Sequence, residues 1–279
     1  MESALYVVAT PIGNLGDMVP RAVEILQGVD VIAAEDTRHS ARLLDHFHIS
    51  TPMVAYHDHT DEGRTRNMVE RIAAGESVAL ISDAGTPLVS DPGYRLVRLA
   101  REAGVKVIPV PGACAMVAAL SASGLPSDRF TFEGFLPAKS GQRQNTLKPL
   151  AKEPRTMVFY EAPHRIEACL ADMAEIFGLD REAVLARELT KTFETIVSAP
   201  LSELQTFVAS DANQRKGEIV VLVRGHAGPT KDAGLDPEAE RIMSVLLKEL
   251  PTKQAASIAA ELTGLKKKAL YQWALDQQD

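Results

Sequence analysis

Five short apolar runs, each followed by a stretch of helix length, constrain the fold of this chain more than any other feature: Leu5 to Ala9, Val31 to Ala34, Met53 to Tyr56, Val78 to Ile81 and Val105 to Val110. A strand with one wet face alternates apolar and polar residues, so strands apolar throughout are covered on both sides. Helix-length spacers then predict a doubly wound, mostly parallel sheet. The small residues and proline of Ser123-Gly124-Leu125-Pro126-Ser127 read as a linker, which closes a first domain at 1–122. Phe130 to Phe135, Thr156 to Tyr160, Ala183 to Ala186 and Ile219 to Val223 repeat the strand theme in a second α/β domain, 127–226. Its helices are predicted near Gln142 to Ala151, Arg165 to Phe177 and Leu201 to Ala209, the last beginning after a proline. Ala227-Gly228-Pro229-Thr230 through Asp236-Pro237 reads as a second linker before a small helical C-terminal tail, 236–279.

A chain of 279 residues has room for two modest cores, and 46% hydrophobic with 24% charged residues is the composition of a water-soluble globular protein. No uncharged apolar run approaches the roughly 18 residues of a spanning helix, and no basic segment precedes an apolar leader, so a cytoplasmic location and no membrane partner are expected. Cys114 and Cys169, the only two cysteines, stand far apart in apolar segments and predict buried thiols rather than a disulfide framework. A net charge of -7 discourages indiscriminate binding to polyanions. A local basic strip of Lys139, Arg143, Lys148, Lys152 and Arg155 runs against that sum.

Function concentrates where strands end. Ser82-Asp83-Ala84-Gly85-Thr86-Pro87, continued by Leu88 to Gly93, turns the fourth strand into a tight polar loop at its carboxyl end, the place where open α/β sheets bind ligands. Asp83 can accept hydrogen bonds, and Gly85 lets a ligand approach the backbone. Thr10 to Asp17 and Pro109 to Cys114 form two more such turns, so several backbone-rich loops line one cleft. The GxGxxG fingerprint and the P-loop lysine are both missing, which removes support for nicotinamide and ATP chemistry. A polar cofactor with little net charge suits the cleft.

Charged residues crowd the other strand ends. Glu35-Asp36-Thr37-Arg38-His39-Ser40 reads either as substrate handling or as a helix start capped by Asp36 or Thr37. Tyr160 to Arg165 and Ala186 to Glu194 add Glu161, Arg165, Arg187, Glu188 and Lys191, whose alternative fate is surface ion pairing. His57-Asp58-His59 lacks the third and fourth ligands that a zinc site needs, so no metal is expected. The tail, with helices predicted at Glu238 to Leu250, Lys253 to Leu262 and Lys266 to Asp276 around Thr263-Gly264-Leu265, has the layout of a helix-turn-helix or of a simple helical cap.

Eight ordered motifs carry a resemblance that runs nearly end to end: LYVVATPIGNLGD from Leu5, EDTRHS from Glu35, SDAGTPLVSDPG from Ser82, PGACAMVAALSASG from Pro111, FEGFLP from Phe132, FYEAPHR from Phe159, ARELTKTFE from Ala186 and KGEIVVLV from Lys216. With them the chain resembles the tetrapyrrole methylase superfamily and, within it, the small-subunit (16S) ribosomal RNA cytidine 2′-O-methyltransferases of the RsmI type. The resemblance implies a two-domain tetrapyrrole methylase-like α/β fold, S-adenosylmethionine (S-adenosyl-L-methionine) as cofactor, a homodimer, and small-subunit ribosomal RNA or the assembled small subunit as partner. It also implies cofactor contacts at Asp83, Ala84, Gly85, Thr86, Cys114 and Ala115, with Tyr160, Ala186, Gly217 and Glu218 from the second domain. A ribose hydroxyl is a poor acid, and Glu35, Asp36, Glu188 and Lys191 are the candidates for handling its proton, with the choice among them left open. Arg38 and Arg187 are candidates for holding phosphate, and Lys139, Arg143 and Lys148 for capturing RNA. Phe135 and Tyr160 could stack on splayed bases.

Overall fold

The computed structural model describes residues 1–57, 60–227, 235 and 237–277. Met1–Gly225 form one compact unit and His226–Asp279 a second.

The first half of the larger unit alternates β1 (Leu5–Val8), α1 (Pro20–Gly28), β2 (Val31–Ala34), α2 (Thr37–His46), β3 (Met53–Ala55), α3 (Glu62–Ala73), β4 (Val78–Ile81), α4 (Tyr94–Glu102), β5 (Val107–Val110) and α5 (Ala115–Ser123). All pairings in its sheet are parallel, in the order β3-β2-β4-β1-β5. Val31 to Ala34 and Val78 to Ile81 are buried on both faces, as their unbroken apolar character predicts. Side chains of alternating register enter two cores, one around Tyr6, Ile25, Leu26 and Ile32, the other around Leu5, Ile72, Leu80 and Leu96. β1 and β4 are neighbours at the centre of the sheet, so the loops that follow them meet side by side at its carboxyl end, where open α/β sheets bind ligands.

The second half holds β6 (Phe130–Phe135), α6 (Ser140–Leu147), β7 (Thr156–Glu161), α7 (Ile166–Phe177), β8 (Glu182–Arg187), β9 (Thr195–Pro200), α8 (Leu201–Ser210) and β10 (Ile219–Val223). Its sheet, ordered β6-β7-β10-β8-β9, is mixed: β10 runs antiparallel to both β7 and β8, and β8 and β9 are antiparallel. β9 is a strand the sequence reading did not assign; Thr195-Ile196-Val197 had the β-branched signature, and alternate burial marks it as an edge strand with one covered face. Phe159, Leu185 and Val221 face α6, α7 and α8, whereas Val158, Val184, Val220 and Leu222 face α5. Each such fully buried aliphatic side chain contributes roughly 1.5–3 kcal/mol. α5 therefore leaves the first sheet by sequence and buries Ala119 and Leu120 against the second, which ties both halves into one unit.

The smaller unit consists of α9 (Pro237–Leu246), α10 (Thr252–Thr263) and α11 (Lys267–Asp276) around Met243, Ala255, Ala256, Ala259, Leu270 and Ala274. Gly264 at φ 71° ends α10, and Lys266, Lys267 and Lys268 are exposed at the start of α11. Most of the linker from Gly228 to Asp236 lies outside the described residues, as do Asp58 and His59 of the histidine pair considered for metal. Among the described residues no helix is long and apolar enough to cross a membrane.

Candidate active site

Three strand-end loops of the first sheet are laced together by hydrogen bonds. Thr10 and Gly85 exchange backbone bonds of 2.8 and 3.1 Å, and Thr86 Oγ1 donates to the Ala113 carbonyl at 2.9 Å. From the second sheet, Tyr160 Oη accepts the Met116 amide at 3.1 Å, which pins the start of α5. Burial pushes the Tyr160 phenol well above its ordinary pKa, with the nearby Cys114 adding to the effect, so it stays protonated. Between these loops and the second sheet lies a cavity of about 360 Å³. Ala84, Gly85, Thr86, Cys114 and Ala115 line it from one side, Tyr160, Leu189, Gly217, Glu218 and Val220 from the other. Phe135, which is 55% exposed, also stands on its wall, 5.6 Å from the Tyr160 ring.

A second cavity of about 300 Å³ adjoins the first and shares Ile12, Ala84 and Glu218 with it. Asp83 and Lys191 belong to this second cavity alone, together with Leu15, His39, Ser40, Arg42 and Leu43. Lys191 Nζ donates to Glu188 Oε1 at 2.9 Å and to Glu218 Oε2 at 3.0 Å, and Glu188 Oε1 also accepts the Glu218 amide at 3.0 Å. Burial disfavours the charged form of both partners, yet these contacts outweigh it: the Glu188 carboxyl is held below its usual value and the Lys191 ammonium above its own. The cluster is therefore a carboxylate and an ammonium across the neutral pH range.

Local backbone choices make room for it. Gly13 lies where a Cβ would stand 2.5 Å from Lys191 Cγ, and Gly217, at φ 80°, lies where a Cβ would run into the Glu188 carboxylate. Glu188 and Thr190 adopt φ of 52° and 65°, uncommon for residues with side chains. What holds that turn is Arg187, which is 6% exposed and donates to Gln214 Oε1 (3.1 Å), the Phe193 carbonyl (2.9 Å) and Thr195 Oγ1 (3.1 Å).

Residues 4–205 match the family profile described as Tetrapyrrole (Corrin/Porphyrin) Methylases. The chain belongs to the tetrapyrrole methylase family. Residues 233–278 match a second profile, the RsmI C-terminal HTH domain. A relative from Pseudomonas aeruginosa named Ribosomal RNA small subunit methyltransferase I is 58% identical over 98% of this chain and 97% of its own length. Among solved structures, diphthine synthase aligns at 17% identity and TM-score 0.61 over 79% of this chain and 89% of that one. Uroporphyrin-III C-methyl transferase from Thermus thermophilus, complexed with S-adenyl homocysteine, aligns at 21% identity and TM-score 0.53 over 78% of this chain and 96% of its own. These likenesses confirm the two-sheet methylase fold expected from the motifs, with a helical C-terminal region.

Within this methylase the structure sorts the residues singled out from sequence. Ala84, Gly85, Thr86, Cys114, Ala115, Tyr160, Gly217 and Glu218 do converge on one cavity. Asp83 lines the neighbouring one, where its Oδ1 accepts the Asp36 amide at 3.1 Å. Ala186 lines neither: it is wholly buried, paired in register with Val220 beneath the cavity floor. Asp36 caps α2, accepting from the Arg38 and His39 amides at 2.8 and 3.3 Å, and those bonds hold its carboxyl below the usual value. Glu35 is half-buried and accepts the Asp83 amide at 3.5 Å.

Two expectations about RNA-binding arginines need correction. Arg143 is 1% exposed, its Nε 2.6 Å from Asp172 Oδ2, so it is an interior ion pair and not part of a basic surface. Arg187 braces the turn described above and has no solvent-facing guanidinium for phosphate. The Arg38 side chain, by contrast, is 94% exposed and open to a phosphate from solvent, although it lines neither cavity. Lys139 and Lys148 are exposed, whereas Arg155 is bound to Glu153 at 2.7 Å, so the basic strip is shorter than its sequence suggests. Sequence reading missed Arg42, whose signal was its helical spacing of three from His39.

Proposed function

We propose that this methylase transfers a methyl group from S-adenosylmethionine to the ribose 2′-hydroxyl of a cytidine in the decoding region of small-subunit ribosomal RNA. The observation that carries the reading is the pair of adjoining cavities, with Lys191 in the second bonded to Glu218 on their shared wall. One cavity suits a donor and the other an acceptor, with proton-handling groups between them. The near full-length likeness to relatives named for small-subunit ribosomal RNA supports the choice of acceptor.

The first cavity fits the cofactor. Its volume lies in the range of small-molecule sites, Ile12, Val89, Leu189 and Val220 offer apolar surface to a flat base, and Asp91 and Glu218 offer negative charge to cationic groups. The amides at the start of α5 supply donors. When bound, the cofactor supplies an activated methyl group on a sulfonium.

The chain's own residues then have three tasks. Ala84, Glu218 and Ile12, common to both cavities, place the acceptor oxygen against the donor, and such positioning is the larger part of catalysis for an already activated group. Lys191 uses two of its three N–H donors on Glu188 and Glu218, and the third orients the acceptor oxygen. Asp83 receives the hydroxyl proton. Because the oxygen becomes strongly acidic as the new bond to carbon forms, a carboxylate suffices as base late in the reaction. The exposed Lys266, Lys267 and Lys268 of the tail suit phosphate contacts. The same reading has the protein working as a homodimer in the cytoplasm, in keeping with the motif resemblance.

The test maps ribose methylation on small-subunit RNA from cells with and without the gene, followed by transfer from labelled cofactor to naked RNA, assembled subunits and tetrapyrrole precursors. Loss of one cytidine 2′-O-methyl group, restored by the purified protein, is the expected outcome. Identical maps, or label entering only the tetrapyrroles, would overturn the reading.

A further inference from the structure

The second cavity carries features that methyl transfer alone does not explain. His39 and Arg42 stand one turn apart on α2 and line it together with Leu43. Arg42 is exposed, and its guanidinium makes no ion pair or hydrogen bond among the described residues. Ser40, on the same wall, is 2% exposed, and its buried Oγ has no hydrogen-bond partner. A buried hydroxyl without a partner and an unpaired cation on one cavity wall are the marks of a site that completes its bonding with a ligand.

The charges are also segregated. Glu218 lines both cavities, and the Lys191 ammonium beside it is already divided between two carboxylates, so it is not free to hold a phosphate. His39 and Arg42 contact only the second cavity. The backbone amides at the start of α2 are taken by Asp36, so an anion there would be held by side chains and not by the helix terminus. Pro11, Leu15 and Leu43 give an apolar flank, with Leu15 41% exposed.

We propose that the second cavity receives the acceptor nucleotide unpaired and splayed from its neighbours, with Arg42 and His39 holding a phosphate that adjoins its ribose. This assignment rests on the ribosomal RNA reading above. A space of about 300 Å³ admits one nucleotide and not a duplex. The ribose lies toward Asp83 and Lys191, the base against Leu15 and Leu43, and Ser40 bonds to the sugar-phosphate edge. Arg42 is thus a positioning residue, set on the acceptor side and away from the cofactor.

Initial rates on small subunits lacking the modification, measured between 50 and 200 mM salt as a range of assay conditions of the kind that resolves phosphate contacts, test the assignment in wild-type, R42A, R42K, H39A and S40A proteins. Cofactor affinity is followed by calorimetry. R42A is expected to raise KM for subunits about tenfold while kcat and cofactor affinity change less than about twofold, and to flatten the salt dependence by about one phosphate contact. R42K should restore the salt slope and only part of KM, because an ammonium lacks the fork of donors. H39A and S40A should raise KM by smaller factors. A wild-type KM and salt slope in R42A, or a loss of cofactor affinity matching its loss of rate, would overturn the assignment. Active wild-type enzyme with unaltered R42A removes this assignment alone; wild-type enzyme silent on those subunits removes the ribosomal RNA reading beneath it as well.

Discussion

Replacing Lys191 with methionine tests the heart of the site while keeping the length of the side chain. The Lys191 side chain is 26% exposed and its Glu188 partner 17%, whereas Glu218 is 68% exposed. A hydrogen bond to a charged group is worth roughly 1.5–3 kcal/mol, and solvent screening removes most of the exposed Glu218 contribution. The Glu188 bond therefore dominates, at about 2–3 kcal/mol. If that energy orders the acceptor oxygen, kcat falls about 30- to 150-fold, since each 1.36 kcal/mol is tenfold. The pH profile gives a separate signature. In the native protein Glu188 is held below its ordinary value and Lys191 above its own, so neither adds a limb to the rate near neutrality. Without the ammonium, the burial that opposes ionisation of Glu188 is no longer offset by Lys191, its pKa rises, and activity is lost on acidification at a higher pH than in wild type. Single-turnover transfer to saturating small subunits between about pH 3.5 and 8, chosen to bracket ordinary carboxylate and imidazole titration, measures both. A rate within threefold of wild type and an unmoved acidic limb would refute the role assigned to the cluster.

Asp83→Asn keeps the acceptor for the Asp36 amide but removes the base, and kcat should fall about 10²- to 10⁴-fold with cofactor affinity retained; transfer close to the wild-type rate would relocate the proton acceptor. Gly217→Ala puts a Cβ into the Glu188 carboxylate and forces φ 80° on a residue with a side chain, so calorimetry should show weaker cofactor binding and kinetics a lower kcat, unlike any surface substitution. Arg143→Met leaves Asp172 buried with only Ser140 and Gln144, which should cost about 3–5 kcal/mol in denaturant unfolding. Burial raises the Asp172 carboxyl, but bonds from Gln144, Ser140 and Arg143 outweigh it and leave it below its ordinary value. Its stabilising effect is thus complete above the ordinary carboxylate range and lost as pH falls through the lowered value, a loss that begins at higher pH in the variant. Unchanged stability with weaker subunit binding would return Arg143 to the RNA-binding surface.

The first sheet was legible in sequence because its inner strands β2 and β4 are apolar throughout and buried on both faces, while the apolar edge strands β3 and β5 are only partly covered. The second sheet was only half legible. Its buried strands stood out, but the antiparallel placement of β10 between β7 and β8 depends on long-range pairing that no local pattern encodes, and β9 was hidden behind the charged run that precedes it. Loops rich in backbone announced themselves through glycine and proline, and the motif resemblance placed eight residues, from Ala84 to Glu218, that line the first cavity, whereas apolar wall residues such as Val89, Leu189 and Val220 carried no signal of their own. Arginines were read least well. A guanidinium carries the same letter whether it faces water, as Arg38 does, or is enclosed with an aspartate 29 residues away in sequence or with backbone carbonyls, as Arg143 and Arg187 are. The helical register that aims Arg42 at a cavity became informative only once the cavity existed.

α5 begins at the cofactor cavity and ends wedged among Val158, Val184 and Leu222. A cut at the glycine that follows it would not release two self-sufficient lobes, since one fragment would bear an apolar helix stripped of its seat. By the same token Gly124 is a poor pivot. The seam between the two sheets is instead part of one compact unit, with that helix packed into it.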